Sequence, residues 1–359
     1  MSSPGDHVAA LAALPGAGTA RLARLLEATP ADAAWAAVLA GSVAVDVAPP
    51  AVRSEWRAVA ASVDLDETRR RLSQHGVVAS SWHDDAHPDQ FARDIDPAPV
   101  AFRQGRLPDP ALPHVAIVGT RRASPIGREI ARELGAGLAA AGVVVVSGLA
   151  LGIDGAAHQG ALAASSTPPI AVVGSGCDTP YPPAHGELWA KVALAGALLS
   201  EAPMGAPPEP WRFPARNRLI VAMSDLVVVV ESRAAGGSLL TVDEAVRRGV
   251  DVMAVPGSLR NGAAVGTNQL LADGCAPVLA VADITTALGL DVVGQAGRRV
   301  DTHADPDADI VLSSIDDGPT SIEQIVERSG LSATEVYARL ARLELAGSIS
   351  HDGVRVQRR

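Results

Sequence analysis

Cysteine is nearly absent. Cys177 and Cys275 are the only two in 359 residues, too few for a disulfide framework or a cysteine metal site. Aromatics are scarce as well, 3% of the chain, so the cores must be filled by Ala, Val and Leu. Lysine is all but missing: Lys191 stands alone and the remaining positive charge is arginine, a bias that carries no functional reading by itself. No apolar run approaches the roughly 20 residues that span a bilayer. The opening MSSPGDHVAALAALPG is too short and too broken for a signal segment. The expectation is a cytoplasmic protein with no membrane partner. An excess of positive charge is also lacking. The formal net charge is −10, which argues mildly against nucleic acid, although a local arginine cluster can dominate one face of an acidic protein.

What is present is ample apolar residue, 48%, enough for two or three domains with sizeable cores. Residues 1–80 read as a small helical domain. Val8–Leu14 is apolar, Pro15-Gly16-Ala17-Gly18 interrupts, and Thr19–Ala28 resumes with Leu22, Leu25 and Leu26 on one side. That outline fits a helix-hairpin-helix or SAM-like unit whose turn amides could face a phosphate. It fits equally a packing bundle with a glycine turn.

Residues 81–290 read as an α/β core, led in by a proline-rich connector over 81–113 with room for one or two strands. Short β-branched runs follow at Val115–Val118, Val143–Val146, Ile170–Val173, Ala197–Leu199, Leu226–Val230, Val252–Val255 and Val278–Val281. Helical stretches lie between them, such as Gly127–Ala141 with Ile130, Leu134 and Leu138 on one stripe. This alternation specifies a parallel, doubly wound sheet. Residues 291–308 are polar and aperiodic, a linker. Residues 309–359 read as a winged helix: helices over Ile310–Ile315, Ile322–Arg328 and Thr334–Ala346, then a hairpin turning at Asp352-Gly353. Arg339, Arg342, Arg355, Arg358 and Arg359 suit DNA contact through helix and wing, while Glu335 and Glu344 suit a protein contact. Both readings stand.

In a doubly wound sheet, ligands bind at the carboxyl ends of the strands, and here those ends are rich in glycine and arginine. The first run leads into Gly119-Thr120-Arg121-Arg122 and a helix start, where amides and guanidinium forks can hold an anion. The second ends in Ser147-Gly148, followed by Asp154 and His158 four apart on one helix face. That pair is read either as an acid–base couple or as a structural contact, the latter favoured because no nucleophile lies near. The third ends at Gly174. Arg212, Phe213, Arg216, Asn217 and Arg218 open a later helix, with Phe213 either a stacking platform for a base or a core residue. Gly237 and Ser238 open another. The spacing is not G-x-G-x-x-G, so a dinucleotide is not implied. Repetition at one edge points to a nucleotide or an extended polyanion.

The motifs GTRRASPIG, SGLALGIDGAAHQGAL, YPP, LLSEAP, FPARNRLI, GGSLLTVDEA, AVPG and GTNQLLADGCAPV, in this order, resemble the DprA/Smf family of DNA-processing proteins. The resemblance is dense over about 112–278 and looser toward both ends. It implies an extended Rossmann-like core that binds and protects single-stranded DNA, helps load the RecA recombinase during transformation or recombination, and dimerises through that core. It implies no catalytic turnover, no cofactor and no metal. It places the DNA pocket on Gly119, Thr120, Arg121, Ser147, Gly148, Phe213, Arg216, Asn217 and Arg218. Many relatives have lysine three residues before the phenylalanine. Here that position is Pro210, and Arg212 is the nearest substitute. The alternative on the same architecture is a nucleotide phosphoribohydrolase, with P-G-G-x-G-T-x-x-E. Against that pattern GGSLLTVDE lacks the second glycine and Glu244 lies one residue too far on. A protein adaptor using the acidic surface is a further alternative.

Overall fold

The structure, a computed structural model, describes residues 3–290, 306–315, 320–345, 349–351 and 355–358. The chain divides into two compact units, Met1–Asp291 and Val292–Arg359.

Five helices open the first unit: α1 (Pro4–Ala12), α2 (Thr19–Leu26), α3 (Ala31–Ala40), α4 (Pro50–Ala60) and α5 (Leu65–Gln74). Their apolar faces are not closed on themselves. Leu11, Leu26, Trp35 and Trp56 share one core with Leu149, Val173, Leu198 and Trp189 of the following α/β region. The helices and the sheet are therefore one folded body. Trp56 is fully buried and donates its indole N–H to the Pro15 carbonyl at 2.8 Å. That bond pins the Pro15–Gly18 turn between α1 and α2.

Nine strands form the sheet: β1 (Val77–Ser81), β2 (Val100–Gly105), β3 (His114–Val118), β4 (Val144–Ser147), β5 (Ile170–Val172), β6 (Ala197–Ser200), β7 (Leu226–Val229), β8 (Asp251–Ala254) and β9 (Ala276–Pro277). Their order is β1-β2-β6-β5-β4-β3-β7-β8-β9. From β6 through β9 every pairing is parallel. The sheet is mixed rather than wholly parallel, because β1 and β2 pair antiparallel with each other and β2 with β6. Residues 82–99 join β1 to β2 and hold only the one-turn α6 (Asp89–Ala92), not the longer helix that usually makes a parallel crossover. The strand expected at Val278–Val281 is displaced. β9 precedes it, and the Asp283 carboxylate accepts from the Leu279 and Ala280 amides at 2.7 and 2.8 Å, turning the chain into a helix at Val281.

The remaining helices are α7 (Pro125–Ala140), α8 (Ile153–Ala164), α9 (Gly186–Ala195), α10 (Arg212–Ala222), α11 (Leu239–Arg248), α12 (Val265–Ala272) and α13 (Val281–Ala287). Alternation along the strands sorts the buried side chains to two faces. Val115, Ile117 and Val145 meet Leu134, Leu138 and Ile284 on one face. Ala116, Val118 and Val144 meet Leu219, Ile220 and Val242 on the other. Helices α7 and α8 touch backbone to backbone through glycine: a Cβ on Gly160 would lie 1.9 Å from the Arg132 carbonyl oxygen. Gly160→Ala must part the helices, and the expected cost is about 1–3 kcal/mol. Urea unfolding measures it; an unchanged midpoint would refute the close packing. Among the described residues no helix is long and apolar enough to cross a membrane.

The second unit contains α14 (Pro306–Ser313), β10 (Thr320–Ser321), α15 (Ile322–Ser329), α16 (Ala333–Leu345), β11 (Ile349–His351) and β12 (Arg355–Arg358). Its antiparallel sheet has the order β10-β12-β11. Val311, Ile325, Val336, Leu340 and Val356 fill its core. This is the expected winged helix. Residues 306–308, read as the end of the linker, open α14. The rest of that linker lies outside the described residues, as do Asp352-Gly353 and Arg359.

Candidate nucleic-acid interface

Each strand-end turn is shaped by an identifiable contact. After β3, the Ser124 hydroxyl accepts from the Gly127 amide at 2.9 Å and caps α7. The buried Glu231 carboxylate, just beyond β7, accepts from the Ser124 amide and hydroxyl at 2.8 and 2.6 Å and from Asn261 Nδ2 at 2.9 Å. One carboxylate thus ties three loops together. After β4, Gly152 has φ +83° and a Cβ there would lie 2.3 Å from the Thr120 carbonyl oxygen. Only glycine lets the first two turns approach so closely.

Between these turns and the starts of α10 and α11 lies a cleft of about 610 Å³. It brings together Gly119, Thr120, Arg121, Arg122, Phe213, Arg216, Asn217, Gly237 and Ser238. Phe213 is half-buried rather than a core residue. The Arg121 guanidinium carbon lies 4.7 Å from its ring centroid, and the Tyr181 ring 5.3 Å away at an interplanar angle of 36°. Phe213 and Tyr181 form a tilted aromatic pair with a cation beside it. Arg121, Arg122 and Arg233 are exposed around it. Asp154 is the one carboxylate in the lining. A positive groove therefore exists on a chain of net charge −10.

Arg216 forms the floor. It is buried, and Nη1 donates to the Gly148 carbonyl at 3.0 Å and to the Val172 carbonyl. A Cβ on Gly148 would fall 2.5 Å from that guanidinium, which explains the glycine. Burial pushes Arg216 down to about 10, against the attraction of Asp154. Burial raises Asp154, opposed by Arg216 and Arg121. Nε of Arg216 has no partner, so the floor holds a cation whose donors are not exhausted.

Other expected residues lie elsewhere. Gly174 and Arg212 line an adjoining cleft of about 520 Å³ that also reaches Arg216. Ser147 is fully buried and donates its hydroxyl to the Ile117 carbonyl at 2.6 Å. Gly148 is buried with its carbonyl on Arg216. Arg218 is buried on another side of α10, bonded to the Asp96 carbonyl at 2.7 Å and to Glu201. Pro210 lines the first cleft without charge, and Arg212 does not line it. Glu244, the candidate hydrolase carboxylate, is paired with Arg247 at 3.1 Å and with Arg248. Sequence reasoning missed Arg233 and Tyr181 as lining residues. The first follows a strand end, and the second is one of only two tyrosines; both signals were there to use.

Asp154 does not pair with His158. It takes the backbone of Ala150 and Gly148 instead, while burial drives the fully buried His158 down to about 3. The neutral ring belongs to the fold. An unfolded histidine titrates near 6.5, so this burial stabilises fully above that pH and loses its effect as pH falls toward 3. Relative to His158→Leu, wild type should lose stability as pH falls below about 6.5, by up to about 1.4 kcal/mol per pH unit. Urea unfolding at neutral and mildly acidic pH reads it; a gap independent of pH would refute the assignment.

The DNA recombination-mediator protein A family matches residues 79–289. The chain belongs to that family. The DprA winged helix domain matches residues 297–352. Protein Smf of Synechocystis sp. is 34% identical over 301 residues, covering 73% of this chain and 75% of that protein. DNA processing protein A of Streptococcus pneumoniae superposes with TM-score 0.64 at 29% identity, over 80% of this chain and 98% of that one. The family protein of Helicobacter pylori, whose structure concerns its single-stranded DNA binding mode, gives TM-score 0.52 at 29% identity, over 59% of this chain and 96% of that one. The DprA fold places the family's Rossmann-like core on the sheet described above.

Proposed function

We propose that this chain binds and protects single-stranded DNA, helps load the RecA recombinase onto it, and works in the cytoplasm as a homodimer through its core without catalytic turnover. Its working parts are the helical segment 1–80, the core 81–290, the linker 291–308 and the winged helix 309–359. The observation that carries the reading is the Arg121–Phe213–Tyr181 cluster, which lines one cleft with the buried Arg216. A phosphate needs fixed cations, and an unpaired base needs an aromatic face; this cleft offers both within one wall. A duplex hides its base faces, so the same cleft should prefer a single strand. Membership of the recombination-mediator family, and the single-strand binding of the Helicobacter pylori relative, support the same reading.

Fluorescence anisotropy with one labelled oligonucleotide, single-stranded or annealed, tests it. Tighter, salt-sensitive binding of the single strand is expected. Equal or tighter binding of the duplex would overturn the proposal.

A further inference from the structure

Two clefts meet at the start of α10. The first contains Phe213, the second contains Trp211 and Arg212, and Arg216 lies at the floor of both. Trp211 is 59% exposed, whereas Trp35, Trp56 and Trp189 are buried and Trp82 half-buried. An indole left in water costs apolar burial, and tryptophan so placed is characteristic of contact surfaces.

The ring is nevertheless held in place. Its N–H donates to Glu209 Oε2 at 2.9 Å, and the same oxygen accepts from Arg212 Nε at 3.1 Å. The Arg212 guanidinium carbon then lies 4.6 Å from the ring centroid, covering one face. Even with Arg212 over the ring, 59% of the residue is exposed, so aromatic surface is left in water. Arg121 over Phe213 repeats the arrangement two residues along the chain. The same cleft is lined by the Gly16–Thr19 turn, which the Trp56 bond to Pro15 and the Arg21 bond to the Gly16 carbonyl at 2.6 Å tie to its neighbours. Glu201 also lines this cleft, but it is neutralised by its ion pair with Arg218. A phosphate entering it would meet Arg216, whose Nε has no partner, and Arg212, which shares its charge with Glu209.

We propose that Trp211 is a second stacking platform, so that a bound single strand continues from the Phe213 cleft over Trp211 and into the cleft beneath the Gly16–Thr19 turn. This rests on the single-strand reading above. It makes the N-terminal helices part of the nucleic-acid surface rather than a packing bundle.

Thymidine homopolymers of about four and about twelve nucleotides, within the range of single-strand site sizes, test it. The longer oligomer should bind more tightly and quench tryptophan emission, because Trp211 is the exposed indole among the five. Trp211→Ala should abolish the quench and lower affinity for the longer oligomer about five- to 150-fold, the effect of one lost stacked base. Trp211→Phe, which keeps an aromatic face, should restore most of the affinity. Unchanged affinity and unchanged emission with the longer oligomer, while Arg121→Ala still weakens it, would confine the strand to the first cleft and overturn the inference. Equal losses for both lengths in Trp211→Ala would overturn it too. If neither length binds the wild type, the single-strand reading itself falls.

Discussion

Arg121→Ala should weaken single-strand binding about 10- to 150-fold while leaving the fold intact. A hydrogen bond to a charged group contributes about 1.5–3 kcal/mol, and this side chain would supply one to phosphate from an exposed position over Phe213. Because it is exposed and covers no core residue, its loss should change unfolding free energy by no more than about 0.5 kcal/mol. The salt dependence gives a second readout. Each phosphate contact contributes about 0.7 to the slope of log K against log salt for single strands, so the variant's slope should be shallower by about that amount. Anisotropy titrations across a salt series measure both quantities. Wild-type affinity with a wild-type slope would remove Arg121 from the site.

Arg218→Ala should show the opposite pattern, a large loss of stability. The guanidinium is paired with Glu201 and lies 3.4 Å from Asp96, with 9% of the side chain exposed. Removing one partner of a buried pair costs about 3–5 kcal/mol, because the other charge is left buried alone. Burial already pushes Glu201 up to about 7 against the pull of Arg218. A carboxyl raised above its unfolded value binds more protons when folded, so its ionisation destabilises as pH climbs from about 4.5 to 7. Without Arg218 that decline should steepen. Urea unfolding at several pH values measures both effects. A variant as stable as wild type, yet impaired in binding, would return Arg218 to the DNA site.

The contrast between Arg121 and Arg218 shows what a sequence reading reaches. Parallel strands carry all their carboxyl ends to one edge, so once alternation identified β3, β4 and β7, their turns had to converge. Gly119, Arg121 and Gly237 were legible on that ground alone. Direction within a helix was not. Arg216 and Arg218 are two apart in α10, about 200° around its axis, and face different surroundings. Which one faced the cleft depended on Glu201 and Asp96, which sit on segments remote in sequence. Ser147 was misleading for a similar reason, since its hydroxyl turns inward to the Ile117 carbonyl. The antiparallel β1 and β2 were obscured by prolines around them. The joining of the N-terminal helices to the sheet rests on contacts such as Trp35 and Trp56 with Leu149 and Val173 in one core. No local periodicity reports that.

The most direct measurement is a photo-crosslink. A single-stranded oligonucleotide carrying 5-iodouracil, irradiated with the full chain and mapped by mass spectrometry, should attach at Phe213 or Tyr181. Attachment confined to the opposite edge of the sheet, where His87 and Arg106 line a separate cleft with His114 and Ile170 at the starts of β3 and β5, would contradict a phosphate- and base-holding cleft at the strand ends.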